Sequence, residues 1–407
     1  MKIKIDKTKF KFLREDFPEE VTKEELQVEI ERLNTLAKYY NNKQLAEKTI
    51  INSSYGALAS KYFVGFNIDV AASVTEMGRN IVKFGAQILN KYFSVYWHLD
   101  VELHKKLNLL GTPSKIERLV QRYGDTDSVY LSMEDVVADL KMRNLLPEKY
   151  KNDIPLLCYD IVELGLNDYI NRAFDTYAKK FNTKNIQKFE LENILYNVIF
   201  LAKKKYVGDL AWKEGSGFVE PNKKLKITGI EIIQSSTPKF CRTHLQEMLN
   251  YIFKHTDDFK MSDFILMLND IKRKFKIQPI EDVSFSKSLG NYEKFILEDK
   301  KEFKIAERCP IHVRGGGYHN YLINNSEQFK NKYKKIKTGD KIKFYHAKDS
   351  LCNVFSFLAG DYPYEIAPEI DFDLQFEKTI IAPINRILYP LGVGEISPTL
   401  ISSRSLF

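Results

Sequence analysis

The sequence predicts an α+β fold, in which antiparallel strands and long helices occupy separate stretches of chain. Three observations carry this. Residues 116–133 hold a short period-two segment that reads as a β-hairpin. Residues 198–234 alternate apolar and polar, as a meander of strands does. Helical periodicity runs through residues 22–52, 70–96, 161–181 and 240–275.

Composition sets the bounds. A chain of 407 residues, 44% hydrophobic and 29% charged, is an ordinary globular protein with room for two or three domains. A net charge of +8 favours a polyanionic partner without proving one. Cys158, Cys241, Cys309 and Cys352 are widely spaced, with no Cys-x-x-Cys pair. Neither a zinc site nor a disulfide framework is indicated, and reduced, cytosolic surroundings fit. The start, Met1 to Lys7, lacks the apolar core of a signal peptide, and no apolar run approaches a membrane span. The expectation is a soluble intracellular protein.

Residues 1–20 are basic, then acidic, and Pro18 closes them. A helix should begin near Thr22, with Glu25 at capping-box spacing. Leu26, Ile30, Leu33, Ala37 and Tyr40 give it an apolar face, and it should continue towards Asn52 with a break at Asn41-Asn42. Gln44, Lys48 and Asn52 recur every fourth residue, and Tyr55 follows three later. They share one face, which leads into Gly56. Residues 70–96 read as a long, well-packed helix, and Asp100 to Ser114 as a polar insertion.

In the hairpin, Ile116, Leu119 and Val120 form an apolar lead-in. On the other arm Val129, Leu131 and Met133 alternate with Tyr130 and Ser132. The tip, Gly124-Asp125-Thr126-Asp127, sets two carboxylates one residue apart. Like charges that close are unfavourable unless a cation sits with them. Hard divalent ions such as magnesium take one or two carboxylates together with substrate phosphates. Two such ions can activate an attacking oxygen and stabilise a leaving one. The plainer alternative is an acidic turn, since Gly and Asp are common turn residues.

Further on, residues 161–181 read as an amphipathic helix with Leu164, Tyr169, Ile170 and Phe174 inward. Within the meander lies Lys203-Lys204-Lys205-Tyr206. Lysines on a strand are commonly a solubilising edge. Gly229-Ile230-Glu231 and then Ser235-Ser236-Thr237-Pro238 mark a boundary, because Ser-Ser-Thr-Pro is a helix-start signal. Leu245, Met248, Leu249 and Ile252 give the following helix a core face. Cys309 to Gly317 carries His312, whose residue type alone could suggest a catalytic base, and Lys330 to Lys343 is either a solvated loop or a DNA-backbone contact. The end, Ile401 to Phe407, is short with an apolar tip.

Two strings decide what these elements resemble. Tyr123-Gly124-Asp125-Thr126-Asp127-Ser128 is similar to the palm metal motif of family B DNA polymerases. Lys48-Thr49-Ile50-Ile51-Asn52-Ser53-Ser54-Tyr55-Gly56 is similar to the same family's fingers motif, and lies before the hairpin as that family requires. The resemblance runs from about residue 40 to the C-terminus and points towards the replicative enzymes of T-even-like phages. It implies a palm of antiparallel sheet backed by helices, a fingers helix and a mainly helical thumb. The implied divisions are fingers 1–60, palm 61–233, thumb 234–400 and a clamp-binding tail 401–407.

The resemblance also implies roles. Asp125 and Asp127 would be the catalytic metal ligands, holding two Mg2+ ions. Lys48 and Asn52 would serve the triphosphate of a deoxynucleoside triphosphate, and Tyr55, with Gly56, the nascent base pair. Lys203, Lys204, Lys205 and Tyr206 resemble the element that grips primer-template DNA. Leu406 and Phe407 resemble in kind a tail that docks on a sliding clamp. His312 falls in a thumb loop away from the chemistry. The expected setting is a viral protein in the cytoplasm of a bacterial host, without membrane attachment.

One part of the family pattern is missing. No Asp-x-x-Ser-Leu-Tyr-Pro-Ser string supplies the remaining palm carboxylate. The exonuclease carboxylates and the first fingers helix are absent too. An initial Met and a natural-looking tail suggest a separately encoded C-terminal part of a split polymerase, active with an N-terminal exonuclease-bearing polypeptide. The alternative is a non-catalytic DNA- or clamp-binding protein derived from a polymerase. Two intact tip carboxylates argue against it.

Overall fold

A computed structural model describes residues 3–5, 13, 16–298, 303–348, 350–398 and 401. Leu406 and Phe407 lie outside them. The chain forms two compact units, Met1–Tyr92 with Leu119–Ser132, and Phe93–Arg118 with Met133–Phe407. The architecture is α+β, with helices of all lengths and small antiparallel sheets.

The first unit begins with a strand pair, β1 (Ile3–Lys4) and β2 (Glu20–Val21). Helix α1 (Lys23–Leu58) starts where the sequence predicts. Thr22 Oγ1 accepts from the Glu25 N–H at 3.2 Å, and Glu25 Oε2 accepts from the Thr22 N–H at 2.8 Å. The expected break at Asn41-Asn42 does not occur, and α1 runs unbroken for 36 residues. Asn costs a helix interior only about half a kcal/mol, and no proline interrupts the run. Glu29 is its one fully buried residue. It is held by Arg32, whose Nε donates at 2.9 Å.

Helix α2 (Ile68–Lys91) is capped by Asn67, which accepts from the Val70 N–H at 3.0 Å. It is not packed along its whole length, as expected. Only Ala71, Gly85 and Leu89 are buried, while Ile68, Val70, Val74 and Met77 are exposed. Its C-terminal half lies behind a hairpin made of β3 (Gln121–Asp125) and β4 (Ser128–Leu131).

The second unit opens on a π-turn ending at Tyr96 and a single tight turn, Trp97–Leu99, with Phe93 and Trp97 buried. Helix α3 (Val101–Lys106) follows. The expected polar insertion is therefore anchored: Leu103, Leu107 and His104 are buried, and the His104 ring meets the Trp97 indole edge-on. Helices α4 (Glu134–Met142), α5 (Glu148–Lys151), α6 (Ile154–Ile161) and α7 (Asn167–Lys179) come next. Between α6 and α7 a π-turn, Val162–Leu166, advances the helix by one extra residue. That shift turns Leu164 outward, against expectation, and puts Ile161 and Leu166 inside. Ile170 and Phe174 are buried as read.

The meander is a four-stranded antiparallel sheet: β5 (Asn193–Ala202), β6 (Lys205–Lys213), β7 (Gly217–Phe218) and β8 (Leu225–Thr228), with β6 central. Helices α8 (Lys239–Lys254) and α9 (Met261–Lys276) follow Pro238, and Leu245, Met248, Leu249 and Ile252 are buried between them and their neighbours. After α10 (Ile280–Val283), β9 (Phe285–Ser288) joins a three-stranded sheet. Next come α11 (Tyr292–Phe295) and the ribbon β10 (Ile296–Glu298) with β11 (Phe303–Ile305).

The expected loop at 309–317 is instead the start of helix α12 (Ile311–Asn324), with Pro310 at its N-cap. Its glycines serve packing: a Cβ on Gly315 would meet Ser356 Oγ at 2.5 Å. His312 is buried there, and its carbonyl accepts from Ser356 Oγ at 2.8 Å. Helix α13 (Glu327–Lys330) precedes β12 (Lys341–His346) and β13 (Val354–Leu358), which complete the order β13-β12-β9. Helices α14 (Phe372–Phe376) and α15 (Ala382–Leu388) are joined by a π-turn, Glu377–Ile381. The main core of this unit joins Val207 of β6 to α8, α9, α14 and α15. No helix among the described residues is long and apolar enough to cross a membrane.

Candidate active-site hairpin

The β3–β4 hairpin closes through a two-residue turn. Asp125 pairs with Ser128, leaving Thr126 and Asp127 at the tip. Such turns twist correctly only with a positive φ at the first position, which usually selects glycine. Here Thr126 takes φ 47°. A β-branched residue in that region is strained by about 1–3 kcal/mol, a cost found mostly at functional sites. Local hydrogen bonds offset it. Asp127 N–H donates to the Asp125 carbonyl at 2.5 Å. Ser128 Oγ donates to the same carbonyl at 3.1 Å, and Thr126 Oγ1 to the Asp125 carboxylate at 3.1 Å. Asp125 is half-buried and Asp127 exposed.

The base of the hairpin is held to α2. Asn90 Oδ1 accepts from the Gln121 N–H at 3.0 Å, and the Ser132 N–H donates to the Val120 carbonyl at 2.8 Å. A bulge between Gln121 and Tyr123 shifts the register once. Beyond it the Tyr123 and Tyr130 rings pair across the strands, 5.7 Å apart. A Cβ on Gly124 would come within 3.3 Å of the Ser128 carbonyl and 4.0 Å of Val82 on α2. The tip is thus fixed by backbone, cross-strand rings and a helix behind.

Lys48, Asn52, Tyr55 and Gly56 all lie on the exposed surface of α1, in the same unit as the hairpin but on a separate element. Gly56 is inside the helix and not at its end, and a Cβ there would meet nothing within 4 Å. Among the described residues no group of three or more His, Cys, Asp or Glu gathers as a metal-binding set. Asp125 and Asp127 fit magnesium in donor chemistry, being two carboxylates on a rigid turn, but they supply only part of a two-ion site.

The lysine element belongs to the other unit. It is not a run on a strand, as expected. Lys203 and Lys204 form the exposed turn between β5 and β6, with Lys204 at φ 63°. Lys205 opens β6 and pairs with Glu231 at 3.0 Å. Tyr206 is buried, with its ring 5.7 Å from that of Phe200. In the basic stretch 330–343, Lys332 pairs with Glu365 and Lys343 donates to the Glu281 carbonyl at 2.7 Å, so part of its charge is spent internally. Glu231 also binds Arg386 at 2.7 Å, a contact between residues 155 apart that the sequence does not signal.

The family model for DNA polymerase family B matches residues 20–147, which include both α1 and the hairpin. Over that stretch the chain is similar to the family B DNA polymerases. It is 26% identical over 300 residues to the DNA-directed DNA polymerase of Enterobacteria phage T4, a match covering 70% of this chain and 29% of that protein. With the DNA-directed DNA polymerase of Escherichia phage RB69 it shares 24% over 284 residues, 67% of this chain and 28% of the other. DNA polymerase 120R of Invertebrate iridescent virus 3 is 28% identical over 270 residues, 65% and 19% respectively. The chain spans under a third of the length of these relatives.

Proposed function

We propose that this chain is the C-terminal fingers, palm and thumb part of a DNA-directed DNA polymerase that replicates viral DNA in a bacterial host. The reaction is attack of a primer 3′-hydroxyl on the α-phosphate of a deoxynucleoside triphosphate, with loss of pyrophosphate. The carrying observation is the strained two-residue turn that fixes Asp125 and Asp127 in front of α2. These two carboxylates would hold Mg2+, which when bound stabilises charge on the transferring phosphoryl group. Lys48 and Asn52 would position the triphosphate, Tyr55 and Gly56 the nascent base pair, and Lys203, Lys204, Lys205 and Tyr206 the primer-template. In domain terms, residues 1–60 are fingers, 61–233 palm and 234–400 thumb. The tail ending in Leu406 and Phe407 would serve a sliding clamp.

A second polypeptide, bearing the exonuclease and the remaining palm carboxylate, completes the enzyme in this reading. Two observations support a missing partner. The β3–β4 pair forms a two-stranded sheet with no third strand among the described residues. Leu45, Ile50 and Ile51 on α1 are 64%, 66% and 70% exposed, far more apolar surface than scattered singles explain.

The test is primer extension with Mg2+ by the chain alone and with the exonuclease-bearing polypeptide. Synthesis is expected only from the pair. Robust templated synthesis by the chain alone removes the partner from the proposal. Templated binding without synthesis by the pair would favour the non-catalytic reading.

A further inference from the structure

The turn carrying Lys203 and Lys204 is held at its base. Gly229 adopts φ +64°, and a Cβ built there would stand 2.0 Å from the Lys204 carbonyl oxygen. Only glycine lets the two backbones pass this closely. Just before it, Thr228 of β8 pairs with Tyr206 of β6. Just after it, Glu231–Ile233 forms a tight turn with Ile232 buried, and Thr237 Oγ1 donates to the Glu231 carbonyl. The Glu231 backbone is therefore fixed relative to the lysine turn.

The Glu231 carboxylate has two cations on one oxygen. Oε1 lies 3.0 Å from Lys205 Nζ and 2.7 Å from Arg386 Nη1. Arg386 comes from α15, whose Ile384, Ile387 and Leu388 are buried. It is anchored by that helix much as Lys205 is anchored by β6. The three side chains line an open cleft of 490 Å³, walled also by Pro383 and Tyr389. A single exposed ion pair contributes little. Here one carboxylate, its side chain 27% exposed, joins two elements, and removing it leaves two like charges facing each other.

We propose that Glu231 is a positioning residue that ties Lys205 to Arg386, so that the hairpin's hold on primer phosphates depends on helix α15. This rests on the reading of the chain as a polymerase part that grips DNA with the lysine turn. Glu231 acts through Lys205 and touches neither substrate nor metal.

Amine-reactive labelling of the full chain, read by mass spectrometry, tests the tie without reference to activity. Lys205 should label more slowly than Lys203 and Lys204. Glu231→Gln should raise its rate about threefold or more, whereas Arg386→Met, which leaves Glu231 to Lys205 alone, should lower it. Thermal unfolding confirms that both variants remain folded. Single-turnover extension, with the partner chain present, then tests the role. Each single variant should be slower by roughly threefold to tenfold, and the double variant no slower than the slower single, as for members of one network. Unchanged Lys205 labelling in both variants, or additive losses in the double variant, would overturn the proposal. If labelling behaves as expected but the wild-type pair fails to bind primer-template, the polymerase reading fails, and the primer-binding role of the tie fails with it.

Discussion

Asn90, at the end of α2, accepts the backbone N–H of Gln121 at 3.0 Å, and so ties the first residue of the carboxylate hairpin to the helix behind it. Asn90→Ala leaves that N–H without this partner, at a cost of about 1 kcal/mol. Hydrogen exchange across residues 121–131 should accelerate roughly fivefold while α1 is unaffected. Equal exchange in both proteins would show that the hairpin stands without the tie.

Asp127→Ala should abolish nucleotide addition by the reconstituted enzyme. Primer-template affinity should change by less than about threefold, because phosphate contacts elsewhere supply most of it. Filter binding and extension on the same preparation separate the two effects. Substantial extension by the variant would remove Asp127 from the reaction.

Lys48 and Tyr55 sit on the same exposed helix but should fail differently. Lys48→Ala should weaken incorporation of all four nucleotides alike, by roughly tenfold, since in the proposed role it would meet phosphate and not base. Tyr55→Ala should raise misincorporation. A change of base preference in the lysine variant alone would mean that the two roles are exchanged.

His312 makes stability depend on pH. Burial, with a smaller push from the Lys287 charge, lowers its pKa from 6.5 to about 4. The unfolded chain therefore binds this proton first as pH falls. Stability is intact above about pH 6.5 and declines towards pH 4, with an upper bound near ~3 kcal/mol. His312→Phe should flatten the fall in melting temperature over that range. An unchanged pH profile would place the acid sensitivity elsewhere.

The hairpin, the start of α1 and the α8–α9 core face were legible because each is written in neighbouring residues. A capping box spans four positions, and a turn with alternating arms spans about ten. Leu164 was misread because the π-turn at Val162–Leu166 adds one residue to the helical count, and no local residue marks it. The glycines of α12 look like a loop in sequence, yet Gly315 answers to Ser356 and Gly317 to Ile296, on strands distant in the chain. A still longer separation hid the contact of Glu231 with Arg386. Local elements could be read ahead of the fold, and contacts made by the fold could not.

The two-residue turn also limits how this gene can change. A residue added between Asp125 and Ser128 would slide β4 by one position and send every side chain of Ser128–Leu131 to the opposite face. Tyr130 would then leave Tyr123, and the carboxylates would lose their spacing. Length changes elsewhere, as in the exposed turn after α1, face no such penalty. Drift at the hairpin is confined to substitution, while insertions and deletions must accumulate in the loops.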